Sequence, residues 1–465
     1  MMGVDQTHVV ILAAGQGTRM KSALPKVLHQ IAGRPMIERV LQTAYAVNPD
    51  TITVIVGHQA EMVRIQLGTV PNIGFALQEP QLGTAHALQQ AEPLLTGRLG
   101  TVVLLSGDVP LLSGGTLKRL VDTHRGSGAA ATVVTATVER PYGYGRIVRT
   151  RGQVSRIVEE RDASLSQRKI TEINSGIYAF DLAPLFDALR SIASQNAQGE
   201  FYLTDVIAIY RRRKLLVETL LIDDAQEIRG INSRSELAEV SRLVRQKKNE
   251  ELMAAGVTFI DPATTYVDPD AEIAADTVIH PGVVIEGKTR IGSACEIQAY
   301  VRILDSQIGD RVTINSFCLI SGAHVAAGAA LGPFAHLRPG TTVGENAKVG
   351  NFVELKNTNF GPRSKVSHLS YLGDATVGAD VNVGAGTITC NYDGVSKHRT
   401  VVEDGAFIGS DSQLIAPVTV GKGAYVAAGS SITQNVPAGA LGIARGRQNN
   451  VDGWAERRKD RSGKT

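Results

Sequence analysis

Aliphatic residues at a fixed spacing of six constrain the second half of this chain more tightly than any other feature of its sequence. Val267, Ile273, Ile279, Ile285, Ile291, Ile297 and Ile303 follow one another in that period. An α-helix repeats every 3.6 residues and a flat strand every second residue, so neither produces it. A coil of short strands does, when each hexad forms one side and turns one aliphatic residue inward. The rhythm slips and resumes at Ile308, Ile314 and Ile320, then at Val325, Leu331, Leu337, Val343, Val349 and Leu355, and finally at Val402, Ile408, Leu414, Val420, Val426 and Ile432. Each slip is expected to be a turn adjustment in a parallel β-helix. The longest gap, between Val383 and Val402, is expected to leave the coil as a loop carrying Cys390, Asn391 and Tyr392. Long loops on rigid coils tend to carry function.

The first half has a different texture. Continuous apolar runs such as HVVILAA (8–14), TITVIVG (51–57), TVVLLSGD (101–108) and ATVVTATV (131–138) alternate with helical stretches. That pattern predicts an α/β domain with a mostly parallel sheet covered on both faces, binding ligands outside the carboxyl ends of its strands. Ser233 and Glu236 have capping-box spacing, and Leu237, Val240, Val244 and Leu252 dot the charged segment that follows, up to Gly256. The expected division is residues 1–234, a linker helix at 235–255, and the coil at 256–465. A chain of 465 residues exceeds one ordinary core in any case.

Composition excludes several function classes. With 43% hydrophobic and 20% charged residues and a net charge of +3, the chain reads as a soluble globular protein with no nucleic-acid-coating character. Its one basic cluster, Arg457, Arg458, Lys459, Arg461 and Lys464, is expected to be a solvated, mobile end. Cys295, Cys318 and Cys390 lack zinc-ligand or disulfide spacing. No apolar run approaches the roughly 18 residues of a membrane helix, and the start MMGVDQTHVVILAAG lacks a signal-peptide pattern, so a cytoplasmic, non-membrane location is expected.

After the first strand comes Leu12-Ala13-Ala14-Gly15-Gln16-Gly17-Thr18-Arg19-Met20, a Gly-rich turn able to cradle phosphates, with Arg19 adding charge. It is neither a dinucleotide fingerprint, which wants glycine where Met20 stands, nor a Walker A loop. Leu24-Pro25-Lys26-Val27-Leu28 brings a lysine within reach of the same phosphates. Together the two segments resemble the sugar-1-phosphate nucleotidyltransferases, which implies a Rossmann-like domain. Asp108 closes the run TVVLLSG; a carboxylate at a strand's end can hold Mg²⁺ against a triphosphate. The resemblance makes Asp108 a metal ligand, partnered by Asn232. It also implies that Gln78, Gly83 and Thr84 line the nucleotide, and that Gly145, Glu159 and Asn174 hold an amino sugar. Relatives of that kind carry Thr at position 175 and an aromatic at position 106; both are Ser here, so neither receives a role.

Within the coil, polar residues gather in LRPG (337–340), VELK (353–356), SHLSYLGD (367–374) and NVGAG (382–386) with TCNYDG (389–394). Acetyl transfer to an amine needs a base, donors for the thioester oxygen and cations for a substrate phosphate. All three kinds of group are present. The hexads resemble the hexapeptide-repeat acyltransferases, which implies a left-handed coil and a homotrimer with sites between subunits. By the same resemblance His368 is the base; Arg338, Lys356, Tyr371 and Asn382 grip the sugar phosphate; and Ala385, Asn391, Tyr392, Ser410, Ala428 and Arg445 bind acetyl-coenzyme A or support the transfer. From about residue 9 to Trp454 the chain resembles the bifunctional N-acetylglucosamine-1-phosphate uridyltransferase/glucosamine-1-phosphate acetyltransferases. That family's substrates are glucosamine 1-phosphate, acetyl-coenzyme A, N-acetylglucosamine 1-phosphate and UTP. Two alternatives remain at this point: a single-activity nucleotidyltransferase whose coil serves regulation or assembly, and a non-catalytic scaffold or exchange subunit with the same domain order.

Overall fold

The computed structural model describes residues 6–68 and 70–462. They form two compact units divided between Val244 and Arg245.

The first unit is built on a nine-stranded sheet. Its strands are β1 (Thr7–Leu12), β2 (Thr51–Val56), β3 (Ile73–Leu77), β4 (Thr101–Ser106), β5 (Ala131–Thr137), β6 (Arg146–Thr150), β7 (Gln153–Val158), β8 (Glu172–Asp181) and β9 (Val217–Ile222). The spatial order is β9-β5-β8-β4-β1-β2-β3, and β6 pairs with β8 and β7. All neighbours along that order are parallel except β8, which runs antiparallel to β4 and β5; β6 and β7 form an antiparallel hairpin. The apolar runs read from the sequence are buried on both faces because helices cover both, one layer packing around Leu88, Tyr178 and Val206 and the other around Ile37, Leu120 and Val134. Loops leaving β1, β3 and β4 at their carboxyl ends therefore open on the same edge.

Helix Arg234–Ala254 follows, and the two unit boundaries meet within it. Its start is a true capping box: Ser233 Oγ accepts from Glu236 N at 3.3 Å, while Glu236 Oε2 accepts from Ser233 N at 2.9 Å and Asn232 N at 2.6 Å. Val240 is buried against Ile31, Met36 and Ile231 in the first unit, whereas Leu252 belongs to the core of the second.

The second unit is a parallel β-helix of the hexapeptide type. Its two- to four-residue strands stack into sheets of 11, 10 and 9 strands. Three columns of inward residues run through it. One passes through Ile279, Ile297, Ile314, Leu331, Val349, Val366 and Val383. Another passes through Ile285, Ile303, Ile320, Leu337, Leu355 and Leu372. The third passes through Ile291, Ile308, Val325, Val343, Phe360 and Val377. Burial of each such side chain contributes about 1.5–3 kcal/mol, which is what holds the period. The slips are corner adjustments. Ile303 to Ile308, Ile320 to Val325, Leu355 to Phe360 and Leu372 to Val377 each drop one residue across Asp305, Gly322, Asn357 or Asp374, all in left-handed backbone.

One expectation needs correction. Cys390 does not lie in the long loop but ends the strand Ile388–Cys390, and only from Asn391 does the chain leave the coil, returning at Thr400–Val402. Thr389 sits in the inward column opposite Leu414, its Oγ1 donating to Gly373 O at 3.0 Å and accepting from Gly373 N at 2.7 Å. A satisfied hydroxyl in an aliphatic position hid that strand. The basic end is exposed and forms a helix, Trp454–Ser462, with Arg458 over the Trp454 ring, while Lys464 and the Arg461 side chain lie outside the described residues. Among the described residues no helix is long and apolar enough to cross a membrane.

Burial in the first unit holds His124 down to about 4, with Asp181 opposing and Arg125 adding to the effect. Above its ordinary value of 6.5 it is neutral whether folded or unfolded; between about 6.5 and 4 only the unfolded chain takes the proton, so stability falls as pH falls. The unfolding free energy obtained from urea titrations should drop through that window by up to about 1.4 kcal/mol per pH unit from this residue, and His124→Gln should flatten the slope. An unchanged slope in H124Q would remove His124 from the acid response.

Candidate functional site

Two separate constellations emerge, one in each unit. In the first, the turn after β1 is tied down at its start: Ala13 N donates to Ile55 O at 2.8 Å. That N–H is therefore engaged within the fold. Gly15 has open space above it, and Gly17 adopts left-handed backbone with φ 61° where a Cβ would lie 2.8 Å from Lys26 Cβ. Glycine here lets the turn and the lysine segment pack directly together.

Lys26 Nζ then reaches the carboxyl end of β4, donating to Asp108 Oδ2 and, at 3.2 Å, to Asn232 Oδ1. Arg19 Nη2 donates to the same Asn232 oxygen at 2.9 Å. Ile231 N donates to Asp108 O at 3.0 Å, so the segment before the linker helix is laced to the loop after β4. Residues more than 200 positions apart, Arg19 and Asn232, thus share one centre. The segment expected to line a nucleotide joins it. Gln16 Nε2 donates to Gln81 Oε1 at 3.1 Å, buried Gln78 donates to Gly83 O at 2.9 Å, and Thr84 Oγ1 accepts from Leu203 N at 3.1 Å. Leu12 and Ala14 flank the turn at the sheet edge.

The segments expected to hold an amino sugar also close on one another. Asn174 N donates to Gly145 O at 2.9 Å, and a Cβ at Gly145 would lie 3.6 Å from Glu159 Oε1 and 3.5 Å from Asn174 Cβ. Tyr178 Oη and Gly176 N hold Asn174 Oδ1, fixing the amide's direction. Burial raises the Glu159 carboxyl above its usual range, against the hydrogen bond that Thr204 donates at 3.1 Å, with Asp162 and Asp205 adding to the rise. A cavity of about 560 Å³ is lined by Arg19, Thr18, Tyr142, Gly143, Glu159 and Gln198, among others, so the Gly-rich turn and the Glu159 carboxyl face one space. Ser175 is buried, with its Oγ donating to Val134 O at 2.7 Å, a backbone role.

In the second unit, His368 ends the strand Lys365–His368 at a corner of the coil. The same corner on successive coils carries Ala385, Ser410 and Ala428: Gly386 N donates to Leu369 O, Asp411 N to Ala385 O and Gly429 N to Ser410 O. Arg445 closes this line by donating to Ala428 O at 2.7 Å. Gly384 and Gly409 pack so closely that a Cβ on either would lie 2.5 Å from the next coil's Ser410 N or Ala428 N. Across the next strand, Tyr371–Gly373, lies a cluster of charge. Asp374 accepts from Lys356 Nζ at 3.4 Å, Asn357 Nδ2 at 2.7 Å and Asn391 Nδ2 at 2.5 Å. Tyr371 spans the strand, its Oη 2.2 Å from where a Gly373 Cβ would stand. Arg338 donates to Glu354 at 2.9 Å on the same face. Asn382 lies on the adjacent face between Lys365 and Phe407, and Tyr392, exposed on the loop, donates to Gly394 O.

Two residues at this site escaped the sequence. Lys397, on the long loop, is pushed below its ordinary range by the hydrogen bond to and charge of Lys356, with Asp374 opposing; in the sequence it looks like any loop lysine. Asn351 has its Oδ1 2.5 Å from His368 Nδ1. Their separation of seventeen positions hid the pairing, although one turn of the coil is the signal that could have found it.

An α/β nucleotidyltransferase unit joined to a hexapeptide-repeat transferase coil is the class of protein these two centres define. Residues 9–204 match the MobA-like NTP transferase domain family, residues 262–368 the GMPPB C-terminal domain, and residues 399–434 the bacterial transferase hexapeptide repeats. The chain is 49% identical to the bifunctional protein GlmU of Pelobacter propionicus over 99% of this chain and 100% of that one. It is 50% identical to that of Trichlorobacter lovleyi, over 97% and 98%, and 52% identical to that of Heliobacterium modesticaldum, over 94% and 95%. The chain therefore belongs to the bifunctional GlmU family.

Because Gly17 gives Lys26 its room, Gly17→Ala should lower nucleotidyl transfer by about 10-fold or more, since sub-ångström displacement of a positioning group is that costly. The transferase reaction of the coil should be unchanged. Steady-state kinetics of both reactions on the variant checks this; full nucleotidyl activity would contradict the close packing inferred for the turn.

Proposed function

We propose that the chain makes UDP-N-acetylglucosamine in two steps, acetylating glucosamine 1-phosphate with acetyl-coenzyme A on the coil and then transferring a uridylyl group from UTP to the N-acetylglucosamine 1-phosphate in the first unit. The observation that carries the reading is closure: each motif set converges within one unit, Lys26 with Asp108 and Asn232, and His368 with the line Ala385–Ser410–Ala428–Arg445.

In uridylyl transfer an oxygen of the sugar phosphate attacks the α-phosphorus of UTP, the bond to the β-phosphate breaks, and pyrophosphate leaves. Such reactions need positioning and charge neutralisation more than covalent help. Lys26 and Arg19 supply cations at the turn, Gln78 and Thr84 line the nucleotide, and Gly145, Glu159 and Asn174 hold the sugar. The oxygens of Asp108 and Asn232 already share one ammonium, that of Lys26, as a small cation would be shared. Among the described residues no group of three or more His, Cys, Asp or Glu surrounds them. An oxygen pair that leaves most ligand positions to water and phosphate suits Mg²⁺. Bound there, Mg²⁺ would neutralise phosphate charge.

In acetyl transfer His368 takes the proton of the substrate amine, the nitrogen bonds the thioester carbonyl carbon, and the carbon–sulfur bond breaks to release coenzyme A. Lys356, Arg338 and Tyr371 hold the sugar phosphate, and the corner line with Asn391 and Tyr392 receives acetyl-coenzyme A. A homotrimer through the coil and a cytoplasmic location complete the proposal. The test is mass spectrometry of products from glucosamine 1-phosphate, acetyl-coenzyme A, UTP and Mg²⁺, with each cosubstrate omitted in turn. UDP-N-acetylglucosamine should form in the full mixture and N-acetylglucosamine 1-phosphate should accumulate without UTP. No acetylated sugar under any condition would reduce the coil to regulation or assembly.

A further inference from the structure

Asn351 and His368 are backbone partners on consecutive coils, and Leu369 N donates to Asn351 O at 3.0 Å, so their side chains leave the corner side by side. Ser370 Oγ donates to His368 O at 2.9 Å and fixes the backbone beneath the ring. At 2.5 Å from Asn351 Oδ1, His368 Nδ1 faces an atom that carries lone pairs only. Two lone pairs would repel at that distance, so the hydrogen between them belongs to Nδ1. A neutral imidazole with its hydrogen on Nδ1 has its free lone pair on Nε2.

We propose that Asn351 is a positioning residue for acetyl transfer: it holds His368 in the Nδ1–H tautomer and leaves Nε2 as the atom that takes the amine proton. The inference rests on the reading of His368 as the base. When the substrate nitrogen bonds the thioester carbon, its proton passes to Nε2, and the departing thiolate is reprotonated as the ring returns to neutrality. Throughout, Nδ1–H keeps its acceptor, so the same hydrogen bond steadies the imidazolium without a carboxylate behind it.

The experiment uses the full chain labelled with ¹⁵N-histidine, the His368 resonances being assigned by their loss in His368→Gln. Long-range ¹H–¹⁵N spectra at alkaline pH should give the Nδ1–H pattern for His368, and Asn351→Ala should shift it toward the Nε2–H form that a free imidazole prefers. Kinetically, Asn351→Ala should lower kcat of acetyl transfer about 10-fold with both KM values within about two-fold, while Asn351→Asp, which keeps an acceptor, should recover most of the rate. An Nε2–H pattern in the unaltered chain, or an Asn351→Asp variant as slow as Asn351→Ala, would overturn the proposal. Full acetyl transfer by H368Q would instead overturn the reading of His368 itself.

Discussion

A parallel coil keeps its register only while each side of every turn sends one side chain into the core and hydrogen-bonds to the turn below. In this chain that constraint runs from Phe259 to Ile432 and determines what the corners can do. Because Val349, Val366 and Val383 are fixed in one column, Asn351, His368 and Ala385 emerge at one corner, a coil apart. No loop needs to fold over to bring them together. The cost of exchanging any inward aliphatic residue for alanine, about 2–5 kcal/mol, would therefore be felt as lost alignment as well as lost stability.

The first unit solves a different problem, the concentration of positive charge at the carboxyl end of β4. Asp108 neutralises Lys26, and the uncharged Asn232 oxygen accepts from both Lys26 and Arg19, so the two cations are held side by side. Asn232 occupies this place because the capping box at Ser233 and Glu236 fixes the start of the long helix; the same Glu236 carboxylate accepts from Asn232 N. A local helix-start signal in the sequence thereby positions a residue of the site. The second unit uses the same logic in miniature, with Asp374 between Lys356 and the Asn391 amide.

Much of this was legible before any coordinates. Hexad spacing specified the coil, because no other regular structure has that period, and the Gly-rich turn, Lys26 and Asp108 meet at a strand's carboxyl end as expected. Legibility failed where a local rule was replaced by a tertiary one. Thr389 interrupts the aliphatic rhythm, its hydroxyl satisfied by Gly373, and so conceals the strand that ends at Cys390. Asn351 and Lys397 carry no motif of their own; only the stacking of coils and the return of the long loop bring them to His368 and Lys356.

The central claim is that one chain carries two chemically independent centres, organised around Lys26 and His368. Complementation tests it most directly. Lys26→Ala and His368→Gln are each supplied with glucosamine 1-phosphate, acetyl-coenzyme A, UTP and Mg²⁺, first separately and then mixed. The account predicts that each variant alone yields almost no UDP-N-acetylglucosamine, that K26A accumulates N-acetylglucosamine 1-phosphate, and that the mixture restores the product. A variant that loses both half-reactions, or a mixture that stays inactive although K26A releases the acetylated sugar, would contradict it.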